Sequence, residues 1–232
     1  MRRKSAIRYF TKTEIALWCS SVALIVLSFC LFDRENYLTL AASLVGVTSL
    51  IFNAKGNPVG QLLMVVFSLL YGITSFTFAY YGEMITYLGM TMPMAVVALI
   101  AWLKHPYKGN RAEVKVNAIS KTETVWMWVL TAAVTAGFYF LLAYFETANL
   151  LLSTLSVTTS FLAVYLTFRR SPYFALAYAA NDIVLIVLWV MASLCDRRYV
   201  SVVVCFIAFL INDLYGYVSW QKMKIRQNMG GD

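Results

Sequence analysis

The sequence predicts an all-α integral membrane protein with eight transmembrane helices. Of its 232 residues, 61% are hydrophobic and 13% are charged, which leaves too little polar surface to cover a soluble protein. The apolar segments also have the length of a bilayer span, which needs roughly 17 to 25 residues. The charged residues gather between these segments, as they do in multi-pass membrane proteins.

The eight apolar segments follow one another with short polar connections. They cover residues 15–32, 37–53, 58–81, 84–103, 124–145, 148–168, 172–195 and 199–220. The first segment is longer than the apolar region of a usual signal peptide and no small-residue cleavage site follows it, so we expect it to be retained. Pro93 predicts a kink in the fourth span, because proline cannot donate a helical hydrogen bond. A tight turn at Gly82 and Glu83 is expected between spans three and four.

The basic residues predict the orientation in the membrane. The net charge is +8, and all 19 Lys and Arg residues except Arg34, Arg197 and Arg198 lie in alternate loops. The positive-inside rule then places both termini in the cytoplasm, which requires an even number of spans. Because the charge is distributed by loop, it indicates a lipid bilayer and no nucleic acid as the partner.

An internal repeat relates the two halves of the chain. Pro58 and Pro172 each begin a span after a short basic turn, as suits the first turn of a helix, and their offset of 114 carries residues 37–53 onto 151–167. Two parallel three-helix repeats and a linker helix make a 3+1+3 core, to which the first span is an addition. Such parallel repeats are a transporter arrangement, with the substrate near the midplane. The predicted regions are 1–36 (basic N-terminus and extra helix), 37–103 (first repeat), 104–147 (cytoplasmic loop and linker helix), 148–220 (second repeat) and 221–232 (cytoplasmic tail).

Two Asn-Asp pairs lie inside predicted spans: Asn181 with Asp182, and Asn212 with Asp213. A carboxylate inside a bilayer costs about 2.5 kcal/mol or more, so these groups are expected to face a cavity or the bundle interior. They are candidate ligands for a substrate with hydroxyl and amide groups. The alternative is that they hydrogen-bond between helices.

Other candidate binding residues extend this polar chamber. Helical spacing places Trp189 on the Asp182 face of span seven and Tyr215 on the Asn212 face of span eight, and aromatic rings attract cations. The first repeat contributes uncharged groups, of which Gln61, Ser68 and Tyr87 are the candidates. An alternative for the tyrosines of span eight is the membrane interface, where we also expect the tryptophans that end spans four and eight.

Several chemistries are not indicated by the sequence. It has no phosphate-binding loop of the G-x-x-x-x-G-K-[ST] type. His105 is the single histidine and falls in a loop, which argues against a multi-histidine metal site. No cofactor, metal site or catalytic residue is predicted.

The sequence elements in this order resemble the PnuC family of bacterial vitamin transporters, which are related to the SWEET sugar carriers. The resemblance covers about 37–224 and includes Asn57-Pro58-Val59-Gly60, Tyr81-Gly82-Glu83, Pro93-Met94, Trp102-Leu103-Lys104, Asn181, Trp189, Asn212, Tyr215-Gly216 and Trp220. Where many relatives carry an Asn in the middle of span three, this chain has Val65-Val66-Phe67-Ser68, so Ser68 or Gln61 is expected to substitute.

The resemblance implies uptake of nicotinamide riboside across the bacterial inner membrane. It implies a homotrimer and facilitated diffusion by alternating access, with phosphorylation trapping the vitamin inside the cell. Asn181 and Asn212 are then expected to bind the ribose or carboxamide, Trp189 and nearby tyrosines to face the pyridinium ring, and Asp182 to neutralise it. A different riboside, B vitamin or sugar is the alternative substrate. An intramembrane aspartyl protease, using Asp182 and Asp213, is the alternative from another class.

Overall fold

The computed structural model describes residues 9–78, 80–147 and 149–230 and confirms the all-helical class. Eight of the helices that it describes are long and apolar enough to cross a membrane. Arg2, Arg3, Lys4 and Arg8, which belong to the predicted basic N-terminus, lie outside the described residues, as do the start of the predicted sixth span at 148 and the end of the predicted tail.

The first four spans contain five helices. They are α1 (Lys12–Phe32), α2 (Tyr37–Ala54), α3 (Pro58–Thr77), and a fourth span made of α4 (Tyr81–Thr86), a π-helical turn (Tyr87–Thr91) and α5 (Met92–Lys104). The π-helical turn ends two residues before Pro93, and the amide of the next residue, Met92, bonds to the carbonyl of Tyr87, five residues earlier. The predicted distortion at Pro93 therefore takes the form of a widened turn.

The second half of the chain begins with a short hairpin. Strands β1 (Pro106–Tyr107) and β2 (Asn110–Val114) pair antiparallel, a feature that was not predicted. The remaining spans are α6 (Lys121–Tyr144), α7 (Leu150–Phe168), α8 (Phe174–Ser193) and, after a 3₁₀ turn (Arg197–Tyr199), α9 (Val200–Met229).

Two predicted span boundaries differ from the structure in a way that matters for the site. The third span ends at Thr77 rather than at residue 81, and the fourth begins at Tyr81 rather than at residue 84. Gly82 and Glu83 consequently lie in the first turn of α4, where both are buried. Gly82 permits this because an added Cβ there would lie 2.5 Å from the methyl carbon of Thr147, closer than two carbon atoms can approach.

α9 continues nine residues beyond its predicted end because it packs against the hairpin. Gln227 accepts a hydrogen bond from the amide of Val116 at 2.8 Å and donates to the carbonyl of Val114 at 3.0 Å. Val114 is fully buried in the same contact region. The loop between the two halves is thus fastened to the last helix of the chain.

Two tryptophans join the repeats by reciprocal hydrogen bonds. Trp102 donates from Nε1 to the carbonyl of Thr167 at 2.9 Å, and Trp220 donates to the carbonyl of Asn53 at 2.7 Å. Asn53 and Thr167 lie near the carboxyl ends of α2 and α7 and are separated by the repeat offset of 114 residues. Each third helix therefore bonds to the first helix of the other repeat.

The tryptophan rings lie 5.4 Å apart between centroids, and neither side chain is exposed. The expected location of Trp102 and Trp220 at the membrane interface is therefore wrong. Because the carboxyl ends of α2, α5 and α7 meet here, the two repeats run in the same direction through the bundle. A matching left-handed residue closes each first helix, with φ of 64° at Gly56 and 57° at Arg170.

Replacing Trp220 with Phe should lower the free energy of unfolding by about 1–3 kcal/mol, since the carbonyl of Asn53 loses the indole hydrogen bond and the smaller ring leaves a void. Thermal unfolding of the detergent-purified protein measures the change. Trp102→Phe should behave alike, because its environment is equivalent. Trp126→Phe, at a side chain that is 60% exposed, is the control, and equal shifts in the control and in Trp220→Phe would contradict the structural role.

Candidate functional site

An aromatic centre lies where the two repeats meet, and we define it as Phe67, Tyr71, Tyr87, Trp189 and Phe206. Trp189 on α8 donates from Nε1 to the hydroxyl of Tyr71 on α3 at 2.8 Å. The rings of Tyr71 and Tyr87 lie 4.4 Å apart, and the ring of Phe206 lies 5.7 Å from that of Tyr71. Trp189 has no exposed surface, so the centre is closed in this conformation.

The two aspartates predicted inside the membrane spans lie beside each other. The carboxyl groups of Asp182 on α8 and Asp213 on α9 are within hydrogen-bonding range and are almost completely buried. Among the described residues, no Lys, Arg or His forms an ion pair with either of them. Two adjoining carboxyls cannot both ionise without a large penalty, so they are suited to share one proton. Asp182 also lies within electrostatic range of Tyr87.

Asn181 uses its side-chain carbonyl for contacts between helices. Its Oδ1 accepts hydrogen bonds from Thr159 at 2.8 Å and from Ser160 at 3.0 Å, both on α7. The alternative prediction, that Asn181 hydrogen-bonds between helices, therefore describes this oxygen in the structure. A ligand role for Asn181 would depend on its amide nitrogen, or on a conformation in which α7 and α8 separate.

Asn212 and Tyr215 face the extra helix α1 and not the aromatic centre. Asn212 donates to the hydroxyl of Ser21 at 2.9 Å and to the carbonyl of Ala208 at 2.7 Å. Tyr215 donates to a carboxylate oxygen of Glu14 at 3.3 Å. The structure thus separates these two residues from Trp189, although the Oδ1 of Asn212 is buried and finds no partner among the residues described.

Glu14 anchors α1 to the rest of the bundle. Its side chain accepts from the ammonium group of Lys55 at 3.1 Å and from the amide of Thr11 at 2.7 Å, in a capping box. Lys55 in turn lies 4.8 Å from the ring centroid of Tyr9. Glu14 is therefore a buried acid that has a basic partner.

The first repeat contributes polar groups along one face of α3. Gln61 and Ser68 are seven residues apart, and Tyr71 lies on the same stripe. Gln61 donates to Asn53 at 2.8 Å, so it lies near the tryptophan contacts at the carboxyl end of α2. Ser68 is fully buried, and its hydroxyl has no hydrogen-bond partner within the described ranges. The structure therefore brings Tyr87 and Trp189 together, and places Ser68 within one helical turn of Tyr71.

Sequence reasoning missed a third acid in the core, Glu83. It was assigned to a turn, and the first repeat was expected to be uncharged. Its side chain is only 2% exposed, and neither carboxylate oxygen has a hydrogen-bond partner in the described part of the chain. The available signal was its spacing of four residues from Tyr87, which places both on one helical face once α4 begins at Tyr81.

Eight apolar helices around a closed centre of aromatic and carboxyl groups define the class as a multi-pass membrane transport protein. The particular family follows from the sequence itself. A family model described as "Nicotinamide mononucleotide transporter" matches residues 36–222. The chain belongs to this family.

Known relatives agree with the assignment. The nicotinamide riboside transporter PnuC of Neisseria mucosa is 28% identical over 202 residues, which cover 85% of this chain and 76% of the relative. The transporter of the same name from Haemophilus influenzae is 22% identical over 198 residues, covering 84% and 83%. Among solved structures, the crystal structure of the vitamin B3 transporter PnuC superposes with a TM-score of 0.82 at 24% identity, covering 94% of each chain, and this likeness shows the fold.

Membership of a transporter family means that the chain is not an enzyme, and the protease alternative is wrong. The proximity of Asp182 and Asp213 therefore does not indicate a proteolytic site. α1 falls outside the matched residues, so the family model does not account for the contacts of Asn212 and Tyr215 with that helix.

Glu14→Gln should lower the free energy of unfolding by about 1–3 kcal/mol, because the partly buried ammonium of Lys55 would lose its charged partner. Thermal unfolding in detergent measures the loss. Glu35→Gln, at an exposed acid in the following loop, is the matched control. Unchanged stability in Glu14→Gln would contradict the anchoring role of this contact.

Proposed function

We propose that the protein takes up nicotinamide riboside across a bacterial inner membrane. The names of the two curated relatives support this substrate, although the description of the family model names the mononucleotide instead. The two molecules differ by one phosphate group, so the charges in the core of this chain bear on the choice between them.

The charge of the core favours the riboside, and this observation carries the proposal. Glu83, Asp182 and Asp213 are buried within the bundle, and none of them has a basic partner among the described residues. The riboside carries one positive charge on its pyridinium ring. The mononucleotide adds a phosphate of about −1.5 to −2 charge, which buried carboxyl groups would repel. A neutral sugar could hydrogen-bond to the acids, but it would gain no attraction between opposite charges.

The proposed substrate contacts divide between the ring and the sugar. Trp189, Tyr87 and Tyr71 would stack around the pyridinium, since the faces of aromatic rings attract cations. Ser68, whose hydroxyl has no partner among the described residues, and Asp182 would bind ribose hydroxyls or the carboxamide. Asn181, Asn212, Gln61 and Tyr215 remain proposed ligands that would have to exchange their present partners.

Transport would follow from motion between the two repeats. The hydrogen bond between Trp189 and Tyr71 joins α8 to α3, and it closes the centre in this conformation. Alternating access requires this contact to open, and the π-helical turn before Pro93 is a suitable hinge. We further propose facilitated diffusion with trapping by intracellular phosphorylation, a homotrimeric assembly, and both termini in the cytoplasm.

A binding panel tests the proposed substrate. Calorimetry on the purified protein should detect nicotinamide riboside and should find the mononucleotide weaker by on the order of tenfold or more, because the phosphate meets buried acids. Two further ligands complete the panel. One is another vitamin that has a cationic ring, and the other is a neutral sugar. Tighter binding of the mononucleotide, or of the neutral sugar, would contradict the proposal.

A pair of variants tests the proposed role of Asn212. Asn212→Ala should abolish measurable binding of the riboside while leaving the oligomer intact, because the proposed binding requires Asn212 to leave its partner on α1 and turn its side-chain oxygen to the ligand. Ser21→Ala is the matched control, since it removes only the partner of Asn212 on α1. Equal affinity in Asn212→Ala and wild type would exclude Asn212 from the site.

A further inference from the structure

Glu83 is a buried acid for which the described residues supply no counter-charge. Its side chain is 2% exposed, and neither carboxylate oxygen makes a hydrogen bond to any residue that the structure describes. The hydroxyl of Ser156 on α7 adjoins it without hydrogen-bonding geometry. No Lys, Arg or His within the described ranges forms an ion pair with it. This setting differs from that of Glu14, which is equally buried but bonds to Lys55.

The carboxylate adjoins the aromatic centre. Glu83 and Tyr87 are four residues apart at the junction of α4 and the π-helical turn, so their side chains occupy one face of the span. Tyr87 lies 4.4 Å from Tyr71 between ring centroids, and Glu83 is within electrostatic range of both phenols. One end of the aromatic centre is therefore acidic.

The other two acids of the core do not resemble Glu83 in their surroundings. Asp182 and Asp213 face each other and can hold one proton between them. Among the described residues, Glu83 has no adjoining carboxyl and no donor in hydrogen-bonding geometry. A lone carboxylate in an apolar interior is unfavourable unless a positive charge or a donor reaches it. Such a charge arrives when a cationic ring enters the aromatic centre.

We propose that Glu83 is the counter-ion for the positively charged ring of the substrate, and that it makes the carrier prefer a charged ring over an uncharged ring of the same shape. Carboxylate and aromatic faces together are an effective binding site for an organic cation. The inference rests on the proposed function, because it takes a pyridinium riboside as the substrate.

The test compares nicotinamide riboside with its reduced dihydropyridine form, which has nearly the same shape and no ring charge. Calorimetry on the purified wild-type protein should show tighter binding of the charged form. Glu83→Gln keeps the size of the side chain and removes its charge. It should weaken binding of the charged form by on the order of tenfold or more, and leave the affinity for the reduced form within about twofold.

The controls separate charge recognition from a structural role. Glu35→Gln, at an exposed acid, should leave both affinities unchanged, and Glu83→Asp should retain the preference for the charged form. Equal losses for both ligands in Glu83→Gln, or no loss for either, would overturn the inference. So would a loss of the preference in Asp182→Asn with none in Glu83→Gln.

The wild-type protein supplies a second measurement that does not depend on a variant folding. Equal wild-type affinity for the charged and reduced forms would overturn the role of Glu83 while leaving riboside transport intact. Binding of neither form would overturn the proposed function and the counter-ion role together. The two failures are therefore distinguishable.

Discussion

The structure depends on one constraint, which is that polar groups inside an apolar bundle must find partners within the protein. No bulk water reaches them, and an unpaired group costs several kcal/mol in hydrocarbon. The chain meets this requirement near the helix ends, where Glu14 bonds to Lys55 and Glu123 to Arg169. It does not do so around the aromatic centre, where no described Lys, Arg or His forms an ion pair with Glu83, Asp182 or Asp213. The presence or absence of a basic partner therefore distinguishes acids that hold helices together from acids that are available to bind a ligand.

The two repeats share a backbone frame but differ in chemistry. The offset of 114 residues relates Gly56 to Arg170 and Asn53 to Thr167, and these positions have matching conformations or matching tryptophan partners. The same offset relates Ser68 to Asp182, a hydroxyl to a carboxyl. Similar halves therefore enclose an asymmetric centre, as is expected where a ligand has a charged ring at one end and a sugar at the other.

Much of the fold was predictable because it follows from composition. Apolar length determines the eight spans, and Pro58 and Pro172 reveal the repeat, because both depend on local properties of the chain. The side-chain directions were less predictable. Asn212 follows the expected periodicity, but its face is covered by α1, whose position depends on packing. Glu83 was missed because a three-residue error in a helix start moves a side chain from a turn into the interior. Trp102 and Trp220 were misplaced because a tryptophan near a helix end suits either the membrane interface or a buried carbonyl.

The reciprocal tryptophan contacts also order the events of biosynthesis. The carbonyl of Asn53 bonds to an indole that follows it by 167 residues, whereas that of Thr167 bonds to an indole 65 residues before it. While the chain is being made, the carbonyl of Asn53 can accept from the nearby amide of Gly56, but the first repeat lacks its indole hydrogen bond until the last helix is inserted. When the second repeat is made, Trp102 has already been synthesised and can donate to the carbonyl of Thr167 at once. A truncated chain that ends before residue 220 would therefore leave the first repeat incomplete, even though every helix of that repeat is present.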